Sequence, residues 1–120
     1  MGGRMLDSDY RLREAAAERL APLRILPQHA GAPDVGMLPC ATAVTVPGTG
    51  GGARRCVVTV YGGSEWRAEE GARACFRLLN GWLPPRRWGK LTAAVGAPFE
   101  DGGVWGCEVT VTAMDYGVIG

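Results

Sequence analysis

Residues 54–83 read RRCVVTVYGGSEWRAEEGARACFRLLNGWL. From Cys56 to Tyr61 the segment is β-branched or aromatic with little interruption, which favours a pleated, mostly buried strand. Gly62-Gly63 ends the strand, and Ser64 stands where the N-cap of a helix is expected. The segment therefore predicts a strand, a tight turn and a helix, and we expect the rest of the chain to pack around this unit.

The predicted helix has one apolar and one charged side. Its apolar residues recur every three or four positions, the spacing that lines one side of an α-helix, whereas Glu69 and Arg73 form an i,i+4 pair on the charged side. Gly81 is expected to end the helix as its C′ residue, and Pro84-Pro85 prevents the helix from resuming. The apolar positions are Ala68, Ala72, Cys75, Phe76 and Leu79.

Size and charge argue against several classes of function. A chain of 120 residues suits a single domain, residues 1–120, which can bury a core without disulfides or metal. Its formal net charge of +1 creates no field that would attract nucleic acid or an anionic membrane, so protein partners are expected. No apolar run approaches the roughly 20 residues that span a bilayer, and no apolar signal segment follows Met1. These features predict an intracellular protein without a membrane partner.

The four cysteines show neither metal-ligand spacing nor a C-x-x-C motif. Each falls at an apolar position of a different predicted element. We expect reduced, buried thiols, with disulfides and a metal site as the alternatives. The residues are Cys40, Cys56, Cys75 and Cys107.

The N-terminal third predicts a helix and a long irregular connection. Apolar residues recur at helical spacing between Leu12 and Leu20, after the capping candidates Asp7-Ser8-Asp9. Pro22 disfavours continuation of the helix, so Leu23–Leu26 is expected to be short and extended. Residues 27–39 carry three prolines and two glycines, which indicates a loop.

Residues 40–46 alternate weakly and predict a strand that pairs with the central one. The tip between them, residues 47–53, is rich in glycine, and bare backbone amides of this kind can bind phosphate. No Lys-Ser or Lys-Thr pair follows, and the next element is a strand instead of a helix, so a flexible hairpin tip is favoured over a phosphate loop. The candidate contact residues in the tip are Gly48, Thr49, Gly50, Gly51 and Gly52.

Residues 82–90, WLPPRRWGK, form a segment that we call the basic corner. Aromatic side chains around three cations can stack a nucleobase or bind phosphates. The same residues suit a structural corner in which Trp82 and Trp88 cap the core, and this alternative is favoured because one loop has a small electrostatic footprint. Either alternative permits contact with another subunit through Arg86, Arg87, Trp88 and Lys90.

The C-terminal third predicts a hairpin and a tail. Residues 91–97 are apolar, residues 98–103 have turn chemistry, and residues 104–114 alternate. In the last strand the apolar residues and Glu108 occupy opposite faces, so a one-residue slip would bury the glutamate. Residues 115–120 are expected to form a flexible tail.

The order of elements, α-β-β-α-β-β, predicts an α+β fold: a four-stranded, mostly antiparallel sheet with two helices packed on one face. No catalytic constellation accompanies it, because the lone His29 lies in the irregular connection and no carboxylate pair recurs at a readable spacing. We therefore expect no enzyme, and assign no catalytic, cofactor-binding or metal-ligating residue.

The chain resembles the tail terminator proteins of long-tailed bacteriophages, also called tail completion or minor tail proteins. The resemblance covers most of the chain. It is carried by the amphipathic first helix, the strand ending near Val46, RRCVVTVYGG at 54–63, the alanine-spaced central helix, and the final hairpin with GAPFEDGG at 96–103.

This resemblance implies a structural protein of the virion, located at the head-proximal end of the tail and assembled in the host cytoplasm. Such a protein caps the tail tube protein as a homo-oligomeric ring, usually a hexamer, and offers a docking surface to head–tail connector and neck proteins. It has no active site. The glycine tip Gly48–Gly52 and the basic corner would then contact neighbouring subunits or rings, and some cations would face DNA non-specifically in the channel.

Two other classes remain open at this point. Another phage component of the neck or head closure would form a twelvefold assembly or bind the portal alone. A small ligand-binding or enzymatic α+β domain would have His29 in a pocket beside a carboxylate.

Overall fold

The computed structural model of the 120-residue chain describes residues 7–21, 23–26, 33–46, 52–85 and 88–116, without the side chains of residues 7–10 and 35. The described part is an α+β structure. Its elements in chain order are α1 (Asp7–Leu20), β1 (Ile25–Leu26), a 3₁₀ helix (Val35–Met37), β2 (Cys40–Val46), β3 (Ala53–Gly62), α2 (Glu65–Leu79), β4 (Thr92–Val95), β5 (Phe99–Asp101) and β6 (Val104–Met114).

The sheet of the described chain has six strands, so the prediction of four strands is wrong. The strand order is β1-β2-β3-β6-β4, and β5 pairs with the same strand, β6, as β4 does. All pairs are antiparallel except β1–β2. The additional strand β1 lies in the segment that was expected to be short and extended, whereas β5 lies in residues expected to form only a turn. With two and three residues, both are too short for a period-2 pattern to be recognised. The α+β class itself is confirmed.

The central unit forms as predicted. β3 ends at Gly62, and Ser64 caps α2, because its Oγ accepts a hydrogen bond from the Arg67 backbone N–H at 3.2 Å. α2 ends at Leu79, and Gly81 has φ of +81°, a left-handed conformation that glycine adopts without steric penalty. Local capping chemistry therefore sets both ends of this helix.

Glycines allow α2 to approach β3 closely. A Cβ added at Gly71 would lie 2.7 Å from Val60 Cγ1, and one at Gly62 would lie 2.9 Å from the backbone N of Ala68. Both distances are shorter than real Cβ contacts. Larger residues at these two positions would push the helix away from the strand it follows.

Both helices contribute to one buried cluster on one face of the sheet, and they contact each other. The register of β3 with β6 pairs Val58 with Val109, so apolar side chains stand directly across from one another. Burying a leucine of this cluster is worth about 1.5–3 kcal/mol. The buried helix residues are Leu12, Ala16 and Leu20 in α1 and Ala68, Ala72, Cys75 and Leu79 in α2.

The opposite face of the sheet, which we call the outer face, is covered at one end. A second buried cluster there consists of Leu26, Cys40, Tyr61 and Val104, with Met37 and Leu38 packed against it. The ring of Phe99 lies over Gly106, where an added Cβ would be 2.7 Å from Phe99 Cζ, and it makes an edge-to-face contact with Tyr61 at 6.5 Å between ring centroids. The connection before β2 and the strand β5 therefore supply this cover.

Side chains from the helical layer cap backbone groups at both edges of the sheet. At the β2 edge, the Arg13 guanidinium donates from Nε to the Ala43 carbonyl at 2.8 Å and from Nη2 to the Leu26 carbonyl at 2.8 Å. At the β4 edge, the Ala93 N–H donates to Asn80 Oδ1 at 3.0 Å. Unpaired backbone groups at a sheet edge can template another strand, so these contacts oppose sideways extension of the sheet.

A cation and a carboxylate are buried at the end of the sheet where β3 begins. Arg54 is 1% exposed and Asp115 is fully buried. Arg54 pairs with Ala113 in register, so Asp115, two residues further on the same face, occupies the diagonal position. The predicted flexible tail starts at Asp115, yet this residue bridges to Trp88 and donates its N–H to the Gly52 carbonyl at 2.7 Å. Residues 117–120 of the tail lie outside the described residues.

Candidate interaction surfaces

The glycine tip falls mostly outside the described residues, which include neither Gly48, Thr49, Gly50 nor Gly51. Gly52 is described and is buried at the base of the hairpin. A Cβ added there would lie 3.1 Å from Met114 Cε and 3.2 Å from the Asp115 carbonyl oxygen. Gly52 therefore supports the hairpin by permitting close packing, and its surface is not available to a partner.

The basic corner combines a buried aromatic residue with an exposed cation. Trp88 is only 7% exposed and belongs to the main core cluster, whereas Lys90 is exposed. Arg86 and Arg87 lie outside the described residues. Trp88 therefore anchors the corner from inside, and Lys90 is the member of this set that faces solvent in the described chain.

Backbone hydrogen bonds hold the two ends of the basic corner together. The Gly81 N–H donates to the Leu91 carbonyl at 2.7 Å, and the Leu91 N–H donates to the Trp82 carbonyl at 2.8 Å. The left-handed conformation of Gly81 makes this return possible. The corner is thus a closed loop fixed at its base to the end of α2.

A cleft of about 390 Å³ lies between α1 and the basic corner. The Arg19 guanidinium stacks over the Trp82 ring, 5.2 Å from its centroid, and its Nε donates to the Leu78 carbonyl at 3.0 Å. The sequence alone does not reveal this cleft, because Arg19 and Trp82 are brought together by the packing of α1 beside α2. The cleft is lined by Ala15, Glu18, Arg19, Trp82, Pro84, Pro85 and Trp88.

All four cysteines are buried and unpaired, as the sequence predicts. Burial raises the pKa of the Cys56 thiol to about 12, although the nearby Arg13 charge partly opposes the rise. Burial also raises the pKa of Cys75 to about 11 and moves the pKa values of Cys40 and Cys107 upward. The thiols are therefore protonated at neutral pH and are poor nucleophiles and poor metal ligands.

The Cys56 thiol predicts a loss of stability in alkali. An unfolded thiol loses its proton above its ordinary pKa of 9.0, whereas the folded one keeps it up to about 12, so the stabilising contribution is complete below pH 9 and is lost as pH rises. We expect the stability advantage of the wild type over Cys56→Ala to shrink above pH 9 by about 1.4 kcal/mol per pH unit. Chemical denaturation of both proteins between pH 7 and pH 11 measures this difference in the free energy of unfolding.

Val58→Ala is the matched control for this experiment, because Val58 is a fully buried neighbour in β3 that carries no proton. Its stability deficit is expected to stay constant over the same pH range. A deficit of Cys56→Ala that does not change between pH 8 and pH 11 would contradict the assignment.

No metal-binding cluster is assembled within the part of the chain that the structure describes. Among those residues no three His, Cys, Asp or Glu side chains come together in a way that could hold a metal ion. His29 lies outside the described residues.

Half of the outer face is uncovered. The register aligns Val44 with Val57, Val57 with Thr110 and Thr110 with Ala94, and the next row contains Val46, Arg55, Thr112 and Thr92. Val44 is 40% exposed and Met114 is 39% exposed. We call these two rows with Met114 the open sheet patch. Arg55 is its charged member, and Glu108 stands at its border.

An exposed tryptophan lies far from this patch. Trp66, in the first turn of α2, is 68% exposed. Trp66 lies outside the apolar stripe of the helix. The spacing of apolar residues in the sequence therefore indicates that Trp66 does not belong to the core. The alternation of β2 and β6 did reveal the two faces of the sheet, but the extent to which the outer face is covered depends on elements distant in sequence.

Comparison with known proteins places the chain in no family: no family model matches it, and neither does any curated protein. Among the described residues no helix is long and apolar enough to cross a membrane. Function is therefore inferred from the open sheet patch, Trp66 and the basic corner.

Proposed function

We propose that the chain is a structural subunit of a bacteriophage tail, which caps the head-proximal end of the tail tube as a ring. The ring stops tube polymerisation and provides the surface to which head and neck proteins attach. Its action is steric: one side of the ring binds the last ring of tube protein, and no further ring of tube protein can bind to the other side. The resemblance of the sequence to tail terminator proteins motivates the proposal.

The observation that carries the proposal is the open sheet patch beside capped sheet edges. Four strands about 4.8 Å apart and two rows about 7 Å apart, extended by Met114, make a surface on the order of 300–400 Å². Its apolar members are Val44, Val46, Val57, Ala94 and Met114, beside three threonines and Arg55, and a patch of this size on a monomer is often functional. Because Arg13 and Asn80 cap backbone groups at the edges, association by adding strands is opposed, and association through faces is favoured.

A closed ring of identical subunits suits a chain of this size and charge. Six copies of 12.7 kDa give a ring of about 76 kDa. The net charge of +1 avoids strong repulsion between copies. A neck or head-closure component would instead give twelve copies, so native mass spectrometry distinguishes these alternatives.

The basic corner is assigned to contacts with the neighbouring ring or with DNA in the channel. Charge reversal by Arg86→Glu with Arg87→Glu is expected to leave the purified chain folded but to impair the joining of heads to tails. The physical reason is that two cations replaced by carboxylates repel phosphate and acidic protein surfaces. Electron microscopy of infected cells, counting unjoined heads and tails, measures the effect.

Arg24→Glu is the control, because Arg24 is an exposed cation outside the corner. It is expected to join heads to tails normally. Normal joining by the double charge reversal would remove the corner from the proposed site. Absence of the chain from the tail end in labelled particles would remove the proposed function as a whole.

A ligand-binding domain is the second candidate, and the cleft beside the basic corner favours it. Its volume of about 390 Å³ and its stacked Arg19–Trp82 pair are compatible with a small, flat molecule. A library of metabolites screened by thermal shift tests this alternative, with Trp82→Ala as the control. A stabilising ligand that the Trp82 variant no longer binds would favour it over the structural role.

A further inference from the structure

Charge is separated along the strands in the described domain, although the net charge of the chain is small. One end, which we call the acidic end, is where β3 stops, α2 begins and β5 turns into β6. The opposite end, the basic end, is where β3 begins and α2 stops. Exposed carboxylates at the acidic end are Glu65, Glu70, Glu100 and Asp101, with the cations Arg24 and Arg67 among them. Arg24 lies at this end because its carbonyl accepts a hydrogen bond from the Ala41 N–H at the start of β2, which pairs with the last residues of β3.

The basic end carries the opposite charge. Its exposed cations are Arg19, Arg55, Arg77 and Lys90, with Glu18 as a carboxylate among them. The last turn of α1 lies at the basic end, because Arg19 Nε donates to the Leu78 carbonyl at the end of α2. Two like ends of separate copies would repel each other, whereas unlike ends would attract.

Each end also carries an exposed apolar feature, and the two features differ in shape. Trp66 projects from the helical layer at the acidic end, with 68% of its surface exposed. The open sheet patch lies on the outer face towards the basic end, with Arg55 in it. One surface is a protruding ring with Glu65, Arg67 and Glu70 near it along α2, and the other is a flat area of apolar residues and threonines with a cation.

From this arrangement we infer that copies of the chain associate head to tail, with Trp66 of one copy seated on the open sheet patch of the next. The contact is heterologous, because the two surfaces lie at opposite ends and on opposite layers of the domain. Such a contact repeats from copy to copy and closes into a ring when the rotation permits. The inference rests on the proposed function, since a ring of identical subunits is what the contact builds.

The sizes of the surfaces suit a contact that needs its charged rim. The open sheet patch is on the order of 300–400 Å², whereas a stable interface covers roughly 800 Å² on each partner. The patch and the indole therefore form the centre, and the opposite charges around them complete the area and set the orientation. Salt is expected to weaken the association for this reason.

Mixing two variants tests the head-to-tail geometry. Trp66→Ser removes the protruding ring, and Val44→Asp places a charge in the flat patch. Each variant alone is expected to associate at least roughly tenfold more weakly than the wild type. Each retains one intact surface, so an equimolar mixture is expected to form a one-to-one heterodimer that grows no further. Native mass spectrometry separates the variants by mass.

Leu78→Asn is the control for the loss of an exposed apolar side chain, because Leu78 and Val44 are both 40% exposed but Leu78 lies in α2, on the helical layer, and asparagine leaves the charge of the basic end unchanged. It is expected to associate as the wild type does. Circular dichroism tests whether all variants remain folded, as expected because the substituted side chains are exposed. Charge reversal by Arg55→Glu is expected to weaken association at low salt and to have a smaller effect at high salt.

Several outcomes would overturn the inference. The inference is wrong if the wild-type chain remains monomeric at millimolar concentration in low salt. It is also wrong if the Trp66→Ser variant associates as strongly as the wild type. A mixture that stays monomeric, while Val44→Asp alone abolishes association, would indicate a symmetric patch-to-patch dimer instead. Failure of the proposed function has a different signature: rings that form through this contact but are absent from tail ends.

Discussion

Replacing Asp115 by alanine is expected to lower the free energy of unfolding by about 3–5 kcal/mol, a large part of the stability of a domain of this size. Asp115 and Arg54 are both buried, at diagonal positions on one face of the sheet. A buried cation is tolerated when a carboxylate offsets its charge, so removal of Asp115 would leave the Arg54 guanidinium in the interior without that compensation. Urea denaturation measures the change.

A double-mutant cycle shows whether the effect belongs to the two charges together. Replacing both groups, in Arg54→Met with Asp115→Ala, is expected to cost less than the two single changes added together, because no charge then remains buried. Asp101→Ala, at an exposed carboxylate of the sheet, is expected to change stability by no more than about 0.5 kcal/mol. Additive single effects would show that Arg54 and Asp115 do not interact.

Replacing Leu79 by alanine is expected to cost about 2–5 kcal/mol. Leu79 is fully buried in the last turn of α2 and belongs to the main core cluster. Its truncation removes apolar contacts and leaves a cavity between the two helices and the sheet, which the surrounding side chains fill only in part. Thermal and urea denaturation both report the loss.

Leu78→Ala is the control in the same helical turn. Leu78 is 40% exposed, and the hydrogen bond it accepts from Arg19 uses its backbone carbonyl, which alanine retains. A change below about 1 kcal/mol is therefore expected. Equal costs at the two positions would show that α2 does not pack with the face that the structure assigns to the core.

Much of the fold follows from local patterns. The Ser64 cap, the apolar spacing of α2 and Gly81 define that helix, and each of these signals lies within a few residues of the feature it sets. The alternation of residues 104–114 likewise predicts the orientation of β6, and Glu108 is exposed as expected. Short-range chemistry is sufficient here because capping and periodicity act between neighbours.

The candidate interaction surfaces were harder to predict from the sequence than the helices and strands. Trp88, a candidate contact residue, is buried, as in the favoured alternative in which Trp82 and Trp88 cap the core, because the hydrogen bonds around Gly81 and Leu91 fold the corner back onto the core. The open sheet patch was not predicted, because valines such as Val44 and Val57 are equally common in strands that are fully buried. Whether such residues are covered depends on how far the connection before β2 and strand β5 extend over the outer face.

By itself the amino-acid sequence determined the helices, the long strands and the face that each long strand buries, because these properties depend on residues close together in the chain. Only the tertiary structure decided the pairing of the two short strands, the diagonal placement of the buried Arg54 and Asp115, and the separation of an acidic end with Trp66 from a basic end with the open sheet patch. These features join residues far apart in the chain, and strand register and helix packing bring them together.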